Sequence, residues 1–216
     1  MVTLDNLDAG REEFTVGRPF YSGDIADGEL VTRVFVDHPD IEAVVHCAAR
    51  IVVPDSVADP LGYYAENVAK GITFCQHLVR SGCTRLLFSS SASIYGPSDD
   101  FSVDEASPLS PQSPYARTKT VFETALADIA AGTDLNVICL RYFNPIWADP
   151  QLRTGLQVPE PSHALGKILQ AHRDRVPFHV TGTDWPTRDG TGIRDYVYVW
   201  DLAALTSTPS SGSTRW

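Results

Sequence analysis

Three residues of this chain have types and spacing suited to moving a proton on and off an alcohol: Ser91, Tyr115 and Lys119. Tyr115 and Lys119 stand four apart in Ser113-Pro114-Tyr115-Ala116-Arg117-Thr118-Lys119. Ser113 and Pro114 read as an N-cap and a first-turn proline, which predicts a helix carrying both side chains on one face. A free phenol, with a pKa of about 10, is a poor base near neutral pH, but a neighbouring ammonium favours the phenolate and brings it toward the working range. Ser91 follows the apolar run Arg85-Leu86-Leu87-Phe88 and offers a short hydroxyl to the same substrate oxygen. The chemistry implied is proton transfer at an alcohol undergoing oxidation.

Strand and helix patterns alternate around these residues. Val2-Thr3-Leu4 is a short apolar stub ending in Asp5-Asn6, and Pro19-Phe20-Tyr21 leads to Gly23-Asp24-Ile25. A helix is expected from about Asp27 to Asp37, a strand over Ala43–His46, and a long helix opened by Asp59-Pro60 and closed by Gly82. The strand at Arg85–Phe88 leads into the serine loop, the catalytic helix runs to about Ala131, and Asn136–Leu140 is the next strand; beyond it loops dominate. Strands separated by helices of this length imply an α/β fold with a doubly wound, mostly parallel sheet. Ligands of such sheets sit at the carboxyl ends of the strands.

The serine and Tyr-x-x-x-Lys pattern, set in Phe88-Ser89-Ser90-Ser91-Ala92-Ser93-Ile94-Tyr95-Gly96, resembles the extended short-chain dehydrogenases/reductases, the NAD-dependent nucleotide-sugar epimerases and dehydratases. Arg141-Tyr142-Phe143-Asn144-Pro145, then Asp189-Gly190-Thr191-Gly192-Ile193-Arg194-Asp195-Tyr196 ahead of Asp201-Leu202-Ala203, look like the UDP-glucose 4-epimerases among them. That resemblance implies an incomplete Rossmann-like NAD-binding domain over residues 1–142, a partial substrate-binding region over 143–205 and a disordered tail at 206–216. It also implies Ser91, Tyr115 and Lys119 as the catalytic residues. Tyr115, as phenolate beside Lys119 and the cofactor's positive charge, would take the sugar 4-hydroxyl proton while NAD+ accepts the C4 hydride, and hydride would return to the other face of the 4-keto sugar. The 4,6-dehydratases of the same superfamily place an Asp-Glu pair directly after the strand-end hydroxyl for their elimination. Here Ala92 and Ser93 stand there and can do no acid-base work, which favours epimerisation.

Cofactor contacts follow from the same resemblance and from strand-end position. Asp5 matches the acid that holds an adenosine ribose hydroxyl, with Asn6 beside it, and an acid there favours NAD over NADP. Asp24 and Ile25 match the adenine side, and Cys47-Ala48-Ala49 matches the small-residue loop near the pyrophosphate and nicotinamide ribose. Asn67 resembles the residue that organises the floor of the site, and Phe143 is either a cofactor contact or core. On the substrate side Asn144 would contact the nucleotide and Arg194 the diphosphate, since a planar guanidinium suits phosphate oxygens. An Arg194–Asp195 pair and a turn at Asn144 are the structural alternatives. The family's pairing implies a homodimer through helices bearing Val68, Ile72, Phe122 and Leu126.

Composition narrows the classes further. The 216 residues are 43% hydrophobic and carry a net charge of −10, with no apolar stretch approaching a membrane span and no basic patch for a nucleic-acid backbone. Cys47, Cys75, Cys83 and Cys139 show no C-x-x-C spacing and read as reduced core thiols of a cytoplasmic protein, and the six histidines share no metal spacing, so no metal is expected. Asp5 and Asp8 in place of a long apolar core argue against a cleavable leader. No G-x-x-G-x-x-G turn occurs, and the sequence reads as an interior piece of a longer enzyme lacking the central first strand and most of a substrate lobe. Two other readings stay open: an epimerase of a UDP-N-acetylhexosamine or UDP-pentose, and a non-catalytic nucleotide-binding remnant.

Overall fold

The computed structural model describes residues 1–98, 100–158, 160–161, 163–180 and 182–207. Its contacts divide the chain after Tyr142 into two units. The first carries two parallel sheets. One pairs β1 (Thr3–Asp5) with β2 (Phe20–Ser22), and the other runs in the order β3 (Val44–His46), β4 (Arg85–Ser89), β5 (Asn136–Leu140). The expected sheet is thus present in two pieces, and β1 and β3 each keep one edge unpaired among the described residues.

The connections are helical. Helix α1 (Gly28–Asp37) starts where Asp27 accepts from the Glu29 and Leu30 amides, and its Leu30, Val31 and Val34 turn inward. After β3 come α2 (Val53–Ala58) and α3 (Pro60–Tyr64), the first of which the sequence reading left out. A wide π turn at Ala65–Ala69 joins α3 to α4 (Lys70–Arg80), and Gly82, at φ 75°, supplies the left-handed residue that ends the helix.

The core lies between β4 and helices α1, α4 and α5 (Pro114–Gly132). Val31, Phe74, Leu78, Leu86, Phe88, Phe122 and Leu126 form it, with Leu4 of β1 and Val44 of β3 packed against the same cluster. Both sheet fragments therefore cover one interior. Leu86, Leu87 and Phe88 are all buried, which explains why β4 reads as a continuous apolar run rather than an alternation. Phe122 and Leu126 point into this interior, and Val121 is an exposed large apolar side chain of the same helix. Cys75 and Cys83 are buried thiols, whereas Cys47 is exposed, because it lies in the loop past the end of β3 instead of in the core.

The second unit contains a parallel pair, β6 (Asn144–Ile146) with β7 (Tyr196–Tyr198), and helices α6 (Ala164–Asp174) and α7 (Val199–Ser207). It holds more regular structure than the loops expected there. Helix α7 carries Thr206 and Ser207, two residues assigned above to the tail; the rest of that segment, 208–216, lies outside the described residues.

Candidate active site

Helix α5 delivers the two central side chains as its sequence predicts. The Ser113 hydroxyl accepts from the Ala116 amide at 3.1 Å, Pro114 occupies the first turn, and Ala116, Lys119, Phe122, Glu123 and Leu126 make the buried stripe. Two charged residues in that stripe need partners. The Lys119 ammonium is 3% exposed and donates to the Ser89 carbonyl at 2.8 Å, its one hydrogen-bond acceptor among the described residues. It also stands 4.7 Å from the centre of the Phe88 ring and 5.8 Å from that of Tyr115. Burial lowers its pKa to about 8, against the upward pull of Cys47 and Glu123. The same burial, with Lys119 nearby, lowers the His46 pKa to about 4, so this strand residue stays neutral among the rings of Phe74, Phe88 and Phe122.

Tyr115 departs from expectation. Burial raises its phenol pKa, the Ser91 hydroxyl pulls it back down, and Tyr142 and Tyr63 raise it further. The Lys119 ammonium, held at the Ser89 carbonyl, stands 5.8 Å from the centre of the Tyr115 ring. Ser91 itself caps a short turn at Ala92–Ile94, accepting from the Ser93 amide at 3.2 Å and sharing a 2.9 Å contact with the Ser93 hydroxyl.

The strand-end residues fall into two groups. Asn67 is 4% exposed; its side chain accepts from the Arg50 amide at 2.8 Å and donates to the Arg50 carbonyl at 2.9 Å and to Thr118 at 3.2 Å. It thereby ties the loop after β3 to helix α5. Cys47 and Ala48 are exposed on that loop and Ala49 is half-buried. Asp5 accepts from the Leu7 amide at 2.7 Å, and Asn6 from the Asp8 amide at 3.1 Å. Asp24 accepts from the Ala26 amide at 2.8 Å and from Lys70 at 2.6 Å, so its carboxylate already has a structural task, while Ile25 is a core contact.

In the second unit Phe143 is exposed rather than core. Asn144 opens β6 and donates from its side chain to the Asp195 carbonyl at 2.8 Å, a tie to the segment just before β7 instead of the turn considered for it. Exposed Arg194 donates to the Ile193 carbonyl at 2.7 Å rather than pairing with Asp195.

A family profile described as "NAD dependent epimerase/dehydratase family" matches residues 1–208. The chain belongs to this family. It is 42% identical over 204 residues to a UDP-glucose 4-epimerase of Azospirillum brasilense, covering 94% of this chain and 58% of that protein, and 37% identical to that of Bacillus subtilis, covering 94% and 63%. Among solved structures it resembles the Stenotrophomonas maltophila UDP-glucose-4-epimerase with bound NAD and formylated UDP-arabinopyranose, at 35% identity and TM-score 0.89 over 95% of this chain and 64% of that one. The Brucella ovis UDP-glucose 4-epimerase in complex with NAD gives 34% and 0.88, over 94% and 62%. The chain thus spans less than two thirds of the length of these relatives.

Family members bind NAD, and one end of the site in this epimerase/dehydratase chain fits that group. The buried Lys119 ammonium has three N–H donors and gives one to the Ser89 carbonyl, which leaves donors for ribose hydroxyls, and the loop at Cys47–Ala49 presents small side chains. At the pyrophosphate end the described residues offer no glycine-rich helix start. Sequence reasoning missed a group behind the triad. Glu123 accepts from Ser90 and is gripped by Arg141, whose Nε and Nη2 reach it at 3.0 and 2.6 Å. Arg141 also donates to the Tyr95 hydroxyl at 2.8 Å, and Ser89 bonds Tyr142. The available signal was spacing: Glu123 stands four residues after Lys119 and eight after Tyr115, on the same buried stripe.

Proposed function

We propose that this chain is the catalytic part of a UDP-sugar 4-epimerase that interconverts UDP-galactose and UDP-glucose with tightly bound NAD. The observation that carries the reading is the Ser91, Tyr115 and Lys119 grouping, with Lys119 buried beneath the phenol and the Ser91 hydroxyl acting on it. When bound, NAD+ supplies the hydride acceptor and donor for the sugar's C4. Tyr115 takes and returns the proton of the 4-hydroxyl. Lys119 would hold the cofactor's ribose hydroxyls with its remaining N–H donors, and it keeps positive charge in the pocket below about pH 8. Ser91 donates to the same sugar oxygen, steadying its charge as the proton leaves. Asp5, Asn6, Asp24, Ile25, Cys47, Ala48, Ala49, Asn67 and Phe143, with Tyr115 and Lys119, are the cofactor residues of this reading, and Asn144 and Arg194 those for the UDP moiety. Ala92 and Ser93 after the strand-end hydroxyl support epimerisation over dehydration, because neither can act as acid or base. A homodimer in the cytoplasm belongs to the same proposal for the intact parent enzyme.

The test is conversion of UDP-galactose by the chain with NAD+. Tyr115→Phe is expected to lower turnover about 100-fold or more while NAD binding persists, the range for loss of a general base. Near-normal turnover in that variant would remove Tyr115 from the role. A panel with UDP-N-acetylhexosamines and UDP-pentoses assigns the sugar. The separation of β1–β2 from β3–β4–β5 favours a second reading, a remnant that does not turn over. Its mark is a folded chain without NAD retention.

A further inference from the structure

The serine loop at the end of β4 divides its work between three residues. Ser89 gives its carbonyl to Lys119 and its hydroxyl to Tyr142, Ser90 gives its hydroxyl to Glu123, and Ser91 faces Tyr115. Ser90 is 2% exposed and Glu123 sits on the buried stripe of α5, so this bond joins the loop to the very helix that carries Tyr115. Arg141, just past the end of β5, grips Glu123 with two nitrogens and reaches the Tyr95 hydroxyl four residues beyond Ser91. The loop is also hung on the end of β5 by the Ser90 amide to the Leu140 carbonyl and the Ala92 amide to the Tyr142 carbonyl, both at 3.0 Å. Charge-assisted bonds of this kind are the stronger class, and in a buried setting each fixes geometry as well as energy.

We propose that Glu123 is a positioning residue: by accepting from Ser90 and from Arg141 it clamps the serine loop to helix α5, and so sets where Ser91 stands against Tyr115. Its hydrogen bonds go to Ser90 and Arg141, so it acts through the loop and not on the reacting atoms. Its charge also lies one helical turn from Lys119, where it favours the ammonium against burial. The proposal rests on reading Ser91 and Tyr115 as the reacting pair. Its tests are made on the ligand-free 216-residue chain, so an absence of epimerase turnover leaves them unaffected.

Two variants separate a clamp from a general stabiliser. Ser90→Ala removes only the hydroxyl that Glu123 accepts from. Amide exchange followed by NMR should then accelerate about 10- to 100-fold at Ala92, the range for losing a hydrogen bond to a charged group, with the Leu86 and Leu87 amides of the same strand unchanged. Glu123→Gln keeps the shape and removes the charge. The chain has three lysines, Lys70, Lys119 and Lys167, so the Lys119 side-chain nitrogen resonance can be followed by itself in a lysine-labelled sample. The Lys119 midpoint should shift down from its parent value of about 8 while that of Lys70, held by Asp24 and Glu66, stays in place. Uniform acceleration across β4, no acceleration at Ala92, or an unmoved Lys119 midpoint overturns the proposal. Should Glu123→Gln fail to fold, the exchange pattern of Ser90→Ala decides alone.

Discussion

Replacing Lys119 by Met is expected to stabilise the fold at neutral pH and to destabilise it at high pH. In the folded chain burial holds the lysine at about 8, against its ordinary 10.5. Below about pH 8 the side chain is protonated in both states, and the native state bears the full cost of a desolvated ammonium. A gap of about 2.5 units corresponds to about 3 kcal/mol. Between the two pKa values the unfolded chain binds the extra proton, so stability rises with pH and the cost fades as 10.5 is approached. Methionine removes the charge at similar length but leaves the Ser89 carbonyl without its donor, a loss of about 1 kcal/mol. The variant should therefore be more stable by about 2 kcal/mol near pH 7 and less stable by about 1 kcal/mol above 10.5, with the two curves crossing at about pH 10. Urea unfolding of both proteins across this range measures it. A difference that does not vary with pH, or a variant weaker at neutral pH, would refute the argument that Lys119 is held against its solvation preference.

Arg141→Met strands the buried Glu123 carboxylate and should cost about 3 kcal/mol in urea unfolding, whereas the double replacement with Glu123→Leu should recover most of it. Gly71→Ala should lose about 1 kcal/mol or more of stability despite alanine's better helix propensity, because a Cβ there would stand 2.8 Å from the Phe122 ring, and a thermal melt reads the sign. Phe122→Ala, which empties a fully buried ring site against Phe88, should cost about 3 to 5 kcal/mol by the same measurement. Ser113→Ala should remove about 1 kcal/mol, since the Ala116 amide loses its cap.

Local signals made much of this arrangement readable. Ser113-Pro114 announced the start of α5, and the four-residue step from Tyr115 to Lys119 put both on one side of it. The unbroken apolar letters of β4 marked a strand buried on both faces. What escaped were pairings across long sequence separations. Glu123 on a helix looks like an ordinary surface acid until Ser90 and Arg141 are seen around it. The upward push of burial on the Tyr115 phenol escaped as well, because sequence spacing fixes which face a side chain occupies, not how deeply that face is buried. The apolar stripe at Phe122 and Leu126 states only that something covers it; that the cover is the chain's own core is seen in the fold alone.

The wide turn at Ala65–Ala69 has a genetic consequence. A π turn holds one residue more than the α turn it replaces. Removing one codon there would let Pro60–Arg80 close into an uninterrupted α-helix, a change easily absorbed by the backbone alone. Because the wide turn itself gives up the extra residue, the faces on either side of it keep their relation, whereas the same deletion in a regular α-helix would rotate them by about 100°. Tyr63, which is 1% exposed and donates to the Val52 carbonyl at 2.6 Å, would keep its place, and the loss would fall on Asn67 inside the turn, whose side chain holds the Arg50 backbone. Single-residue deletions across 65–69 that spare Asn67 should therefore survive a selection for folded protein more often than deletions in β4. The wide turn is thus a place where the gene can change by one codon without turning a helix face away from its neighbours.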